Sequence, residues 1–234
     1  RRCACEEELR LNRRLAPDLY QAVCAVTGSI DSPSFDGPGE AIDWAVRMRR
    51  FDPEAVLSNP RIPITPSLVD RLASRVGAFH LAADRAADDS EFGTPPLVAD
   101  PMWRNFTHIR AQLPACDGRL DKLEGWIGQA LAVLEDTLAQ RRADGHVREC
   151  HGDLHLGNIA LIDGEPVVFD AIEFNPAFRW IDTVNDLAFL TMDLHHRRLS
   201  GLAYRFLDRY LARTGDYAGL AVLQLYEVYR AMVR

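Results

Sequence analysis

Apolar residues recur every three or four positions along most of the chain, and in two stretches that rhythm gives way to short apolar runs bounded by turn residues. The opening CEEELRLNRRLAP predicts a helix with Leu9, Leu11 and Leu15 partly on one face. Residues 20–27 (YQAVCAVT) and 42–51 (IDWAVRMRRF) are β-prone, and the Gly, Pro, Ser and Asp of residues 28–39 predict a hairpin loop between them. Asp52-Pro53 marks a turn. At Thr65-Pro66, an N-cap followed by proline at the first helical position, the pattern becomes helical, with Leu68, Leu72, Val76, Phe79 and Ala83 as one stripe. Further helices are predicted over residues 102–113 and 118–142, the second carrying Leu120, Leu123, Ile127, Leu131 and Leu134 on one face. The second interruption, residues 147–170, holds IALIDGEPVVFD, two apolar runs joined by Asp163-Gly164, which signals a two-residue hairpin turn. Helices resume near Asp182 and run to the end, with Leu220, Leu223, Tyr226 and Val233 expected on the buried side of the last one.

Composition narrows the class. The 234 residues are 47% hydrophobic and 26% charged, a globular balance that excludes disorder. A net charge of −7, with both signs interspersed, provides no basic face to displace counterions from a phosphate backbone, so no nucleic-acid partner is expected. No apolar run approaches the roughly 18 residues of a membrane span, and no membrane partner is expected. Five cysteines (Cys3, Cys5, Cys24, Cys116 and Cys150) are odd in number and lack disulfide-framework spacing, which points to a reducing, cytoplasmic setting. Cys3 and Cys5 have no second Cys/His pair with which to hold zinc. The chain opens on Arg1-Arg2 without methionine and ends inside a helical pattern, so both ends are expected to be cuts through a longer polypeptide. Lys122 is the single lysine among 27 basic residues.

The candidate chemistry lies in the second interruption. Residues 151–158 read HGDLHLGN, and the hairpin that follows ends at Asp170 in VVFDAIEF. Phosphoryl transfer from MgATP requires a carboxylate that accepts the proton of the attacking hydroxyl, and oxygen ligands that hold magnesium on the phosphates. Asp153 and Asn158, five residues apart, supply one of each, and Asp170 brings a charged metal ligand. The spacing fits the H-x-D-x-x-x-x-N catalytic loop of kinase folds followed by their metal-binding Asp. HGDLHLGN, with its glycine before the Asp, resembles the aminoglycoside phosphotransferase family, which also takes in choline- and fructosamine-kinase-like enzymes. RWIDTVNDLAFL, with Asp186-Leu187-Ala188, is similar to that family's downstream segment. EEELRLNRRLAP, AVRMRRF and FDAIEFNPAFRWIDTVNDLAFLTMDL most resemble the phosphotransferase-like half of bacterial proteins that carry a P-loop ATPase domain after it.

The resemblance implies a two-lobed, protein-kinase-like α+β fold: a truncated N-lobe over residues 1–52, then a mostly helical C-lobe over residues 53–234 with catalytic loop and metal-binding hairpin at residues 147–174. It makes Asp153 the catalytic base, Asn158 and Asp170 the magnesium ligands, and His151, with Asp186, a brace for the loop. Glu8, preferred over Glu7, would pair with a phosphate-anchoring lysine, and residues 48–51, including Arg49 and Phe51, would form the hinge that meets adenine. The implied cofactors are ATP or GTP with Mg2+, and the implied partner is a small-molecule acceptor, because Gly152 replaces the arginine of many protein kinases and no long activation segment follows Asp170. Glu173, Asp182 and Asp193 are candidates for binding a cationic acceptor, with helix capping as the competing role. The anchoring lysine and a glycine-rich loop are absent, since Lys122 falls in a C-lobe helix. The resemblance places them upstream, and a P-loop ATPase domain downstream.

Two other readings use the same residues. A nucleotide-binding module that regulates a neighbouring ATPase would need no catalysis, although Asp153, Asn158 and Asp170 are all present. A metal hydrolase would take His151, Asp153 and His155, alternating on one side of a strand, as ligands; it leaves Asn158 and Asp170 without a role.

Overall fold

The computed structural model describes residues 1–113 and 117–234, so Cys116 lies outside the described residues. A helix, α1 (Arg2–Arg13), leads into three antiparallel strands, β1 (Tyr20–Ser29), β2 (Ser32–Phe35) and β3 (Asp43–Met48), arranged β2-β1-β3. Strand β2 lies within the stretch read as a hairpin loop. Its SPSF sequence is exposed throughout, so it carries no apolar alternation, and Pro33 is tolerated because β2 is a sheet edge. Helix α1 packs across β1 and β3. Ala16, Leu19 and Tyr20 form a small buried cluster there, and Phe51, Val167 and Phe169 pack against it, joining the sheet to the hairpin that precedes Asp170.

The remainder is helical: α2 (Pro66–Ala82), α3 (Pro95–Gln112), α4 (Asp117–Ala143), α5 (Thr183–His196), α6 (Ser200–Thr214) and α7 (Leu220–Val233). Thr65 caps α2, its hydroxyl accepting the Leu68 N–H at 3.2 Å, and Gly215 ends α6 at φ 76°. Helix α3 starts at Pro95 and passes through Pro101, ahead of the expected start at 102. Thr94 and the two prolines at 95 and 96 begin it, because proline at the first turn loses no helical hydrogen bond. In α7 the buried side is Val222, Leu225, Tyr226 and Tyr229, whereas Leu220 and Val233 are exposed. The helix is apolar over more than one face, so periodicity placed Tyr226 and Leu223 against the core but misplaced the two ends.

Two short strand pairs interrupt the helices. Strand β4 (Val147–Glu149) pairs with β7 (Trp180–Asp182), and β5 (Ile159–Ile162) pairs with β6 (Glu165–Val168), both antiparallel. Asp163 and Gly164 join β5 to β6 with φ of 53° and 81°, the two left-handed residues that a type I′ turn demands. The main core draws on α2 to α7 and on Leu154, Leu156, Ile159 and Val168 of the loop and hairpin, so the backbone carrying the candidate chemistry is part of the packed interior.

Candidate active site

The loop HGDLHLGN is held from beneath by carboxylates. Asp186, on the first turn of α5, is fully buried; its Oδ1 accepts the Gly152 N–H at 2.9 Å and its Oδ2 the His151 N–H at 3.0 Å. His80 on α2 reaches the same Oδ2 at 3.0 Å and is itself bonded to Tyr210 at 2.8 Å. Burial pushes the Asp186 carboxyl up, but the His80 bond and surrounding positive charge outweigh it and hold the group down to about 2. Asp193 accepts the Leu156 N–H at 3.0 Å. Gly152 has φ 88°, and a Cβ there would stand 2.7 Å from the Phe178 carbonyl oxygen, so this position of the motif requires glycine.

His151 connects the loop to the hairpin. Its Nδ1 accepts the Asp153 N–H at 3.2 Å and its Nε2 donates to the Phe169 carbonyl at 2.9 Å; burial lowers its pKa. Both ring nitrogens are thereby occupied. His155 uses Nδ1 to accept the Gly157 N–H at 2.9 Å and lies 3.3 Å from the Asp153 carboxylate through Nε2. The backbone here is a loop entering a short 3-10 turn, not a strand, so His151, Asp153 and His155 do not converge as metal ligands. Among the described residues the one buried His/Cys/Asp/Glu group with converging atoms is His80, Cys150 and Asp186, whose members are bonded within the core.

Asp153 is half-buried. Burial pushes its carboxyl up, and the His155 hydrogen bond, positive charge and the Asn158 amide outweigh this, holding it below the usual carboxylate range. Asn158 donates Nδ2 to the Asp153 carbonyl at 3.0 Å and to its Oδ2 at 2.8 Å, which leaves Oδ1 as the amide atom for a metal. Its carbonyl accepts the Phe169 N–H at 3.0 Å, and Asp170 follows directly. Asp170 is exposed and left-handed (φ 66°), pinned on both sides: its N–H donates to the Tyr20 hydroxyl at 3.2 Å, and the Ala171 N–H to Asn12 Oδ1 at 2.8 Å. Such backbone strain persists where neighbours over-determine it.

Helix α1 supplies that pin and a further acid. Glu149, a buried carboxylate just before the loop, receives Arg10 at 2.6 Å, Arg14 at 3.1 Å and Arg179 at 3.2 Å. Glu7 joins this tether through Arg10 and Arg179, both at 2.7 Å. Glu8 takes no part in it: burial and then the charges of Glu173 and Asp170 raise its pKa, which sets Glu8 in the field of the Asp170 carboxylate. The oxygen donors of Asn158 and Asp170, beside Glu8 and Glu173, suit a hard cation such as Mg2+.

The remaining sequence-predicted residues separate. Phe51 meets Phe169 edge to face, with centroids 5.4 Å apart, at the residue that precedes Asp170. The Arg49 side chain reaches Asp163 at the far turn of the hairpin, 2.9 Å away, and its N–H bonds the Leu19 carbonyl, so neither group is directed to Asp153 or Asp170. Asp182 is buried, capping Val184 at 2.9 Å and binding Arg141 at 2.7 and 2.8 Å; Arg141 also grips Asp216 through two bonds of 2.8 Å. Asp182 and Asp193 therefore offer no free carboxylate to a cationic acceptor, and Glu173 stands with Glu8 and Asp170. Lys122 is exposed on α4.

The sequence pattern of the phosphotransferase enzyme family matches residues 3–223. The chain belongs to that family. It is also 30% identical over 236 residues to an uncharacterized protein of Mycobacterium bovis and to uncharacterized proteins of two strains of Mycobacterium tuberculosis; each match covers 99% of this chain and 46% of the relative. The chain thus spans about half the length of the curated relatives it matches. Its α+β architecture, a small sheet-bearing lobe beside a larger helical one, is the kinase-like fold of the phosphotransferase family, and phosphoryl transfer is the chemistry of that family.

Next to Asp153 this family member has a cavity of about 390 Å³, floored by Gly152 and Asp153 and walled by Ile172, Phe178 and Trp180. Asn105 of α3 and Arg230 of α7 also line it. Neither stands out in the sequence, where each is one polar residue in a helical pattern. Tyr20 and Asn12, which pin Asp170, are likewise visible only once α1 and β1 have packed on the hairpin.

Proposed function

We propose that the protein transfers the γ-phosphate of ATP or GTP to a hydroxyl group of a small molecule. The observation that supports this reading is the junction of loop and hairpin at Phe169, which bonds Asn158 through its N–H and His151 through its carbonyl, and so ties the residue just before Asp170 to the loop that carries Asp153. In this reading the acceptor hydroxyl lies against Asp153, which orients it and takes its proton as the hydroxyl oxygen bonds to the γ-phosphorus. The bond from that phosphorus to the β,γ-bridging oxygen breaks, the nucleoside diphosphate leaves, and Asp153 returns its proton to solvent. A carboxyl held below its usual range is ionised at neutral pH, as a base must be. Asn158 and Asp170 would hold Mg2+, which supplies charge neutralisation on the phosphates. Glu8 would pair with a phosphate-anchoring lysine ahead of Arg1, and Phe51 would border the adenine site.

The length of the relatives leaves room for a second domain, and a P-loop ATPase in the downstream half is part of the proposal. No helix among the described residues is long and apolar enough to cross a membrane; with the odd cysteine count, we take the setting to be the cytoplasm. The test is incubation of the full-length protein with γ-labelled ATP, magnesium and a panel of hydroxylated small molecules. Labelled phosphate on an acceptor, lost when magnesium is withheld, is the expected result. Nucleotide binding with no transfer to any acceptor, or release of phosphate to water alone, would contradict the reading.

A further inference from the structure

The cavity beside Asp153 is built for a different charge from the one its acidic neighbours first suggested. Arg230 is only 5% exposed, yet no carboxylate of the described residues lies within 4.0 Å of it. Its Nε donates to the Asn185 carbonyl at 3.2 Å and to Asn185 Oδ1 at 2.8 Å, and its guanidinium lies 5.1 Å from the Phe189 ring centroid and 5.4 Å from that of Tyr229. These contacts fix the group while its two terminal nitrogens have no hydrogen-bond acceptor among the described residues. Asp186 feels the charge of Arg230, but its own oxygens are occupied by the amides of residues 151 and 152 and by His80. The second observation comes from another helix: Asn105 Nδ2 is buried without a hydrogen-bond partner and lines the same cavity. A buried donor without a partner, as Asn105 Nδ2 is, is costly unless a ligand completes it, and the terminal nitrogens of Arg230 are not among such buried atoms but open toward the cavity that Arg230 lines. The acids of the cavity are Asp153 and Asp182, and Asp182 is taken by Arg141, whereas Ile172, Phe174, Phe178 and Trp180 present apolar surface.

We infer that the acceptor is a hydroxyl-bearing molecule with an aromatic or other apolar body and an anionic oxygen group, its anion held by Arg230 and Asn105 and its hydroxyl by Asp153. This rests on the phosphotransferase reading for the role of Asp153, but anion binding in the cavity can be measured without it. Three probes of one shape serve: 4-(hydroxymethyl)benzoate, the neutral 4-methylbenzyl alcohol and the cationic 4-(hydroxymethyl)benzylamine. Each is titrated into the full-length protein by calorimetry, with and without MgATP, in wild type, Arg230→Met and Asn105→Ala. The benzoate is expected to bind about tenfold or more tighter than either counterpart, as a charge-assisted hydrogen bond implies. Arg230→Met should erase that preference and Asn105→Ala should reduce it, while MgATP affinity stays within about twofold in both; the wild-type ranking stands as a test even if Arg230→Met fails to fold. Equal binding of the three probes, preference for the amine, or no binding of any of them overturns the inference. A protein that binds the benzoate but not MgATP would keep the anion site and overturn the phosphotransferase reading instead.

Discussion

Two sets of acids frame the loop HGDLHLGN, and they differ in what their oxygens have left to do. Beneath it, Asp182, Asp186 and Asp193 are each at least 97% buried and bonded to backbone amides or arginine. On the open side, Asp170 is exposed and free of side-chain hydrogen bonds among the described residues, Glu8 lies in its field, and Asp153 is held by Asn158 and His155 with part of its surface accessible. The same side chain is scaffold when its lone pairs are filled from within the fold, and a candidate for chemistry when they are not. Burial of the first set turns the second into a rigid constellation, since the amides of residues 151, 152 and 156 are tied down from beneath.

The comparison predicts that the two sets fail in different ways. Arg141→Ala leaves the Asp182 and Asp216 carboxylates buried and uncompensated; the expected loss is about 5 kcal/mol of stability, the upper end for a broken buried pair, read from urea denaturation. A loss below about 1 kcal/mol would mean that the floor is not electrostatically built. Asp153→Asn acts on the other set. It should lower transfer about 10³-fold, or about 4 kcal/mol of barrier, while the urea midpoint falls far less than for Arg141→Ala, by the loss of the His155 and Asn158 contacts alone. Gly152→Ala sits between the two, because its Cβ would press on Phe178 at an unfavourable φ, and it should cost about 2 kcal/mol together with a drop in transfer as the loop shifts. The smallest effect is with pH. Asp186 has a depressed pKa of about 2, so its stabilising contribution is present above the ordinary carboxylate value near pH 4 and is lost as pH falls toward 2. Wild type should therefore exceed Asp186→Asn by on the order of 2 kcal/mol at pH 5, and by visibly less at pH 3; a gap that widens on acidification would reverse the assignment.

Much of the constellation was legible because it is compact in sequence. His151, Gly152, Asp153 and Asn158 fall within eight residues, and the Asp163-Gly164 turn fixes where Asp170 returns. The capped helix α2 and the striped helix α4 were legible for the same reason. Long-range pairing was not. Asp182 and Asp193 read as candidates for a cationic acceptor because nothing local announces that Arg141 and the Leu156 amide occupy them. The pairing of the Arg49 side chain with Asp163, more than a hundred positions away, likewise has no local signal. The strand β2 has no apolar pattern at all, and α7 has apolar residues in more than one phase, so one was missed and the ends of the other, Leu220 and Val233, were misplaced. Arg230 and Asn105 gave no signal, since a polar residue in a helix is ordinarily at the surface.

In the proposed function, loop and hairpin together form a magnesium–nucleotide site. This is decided by calorimetric titration of MgATP into the full-length protein beside its Asp170→Ala variant. Binding that requires both magnesium and Asp170 is expected. Equal affinity in the two proteins with magnesium present, or no binding in the wild type, would contradict it.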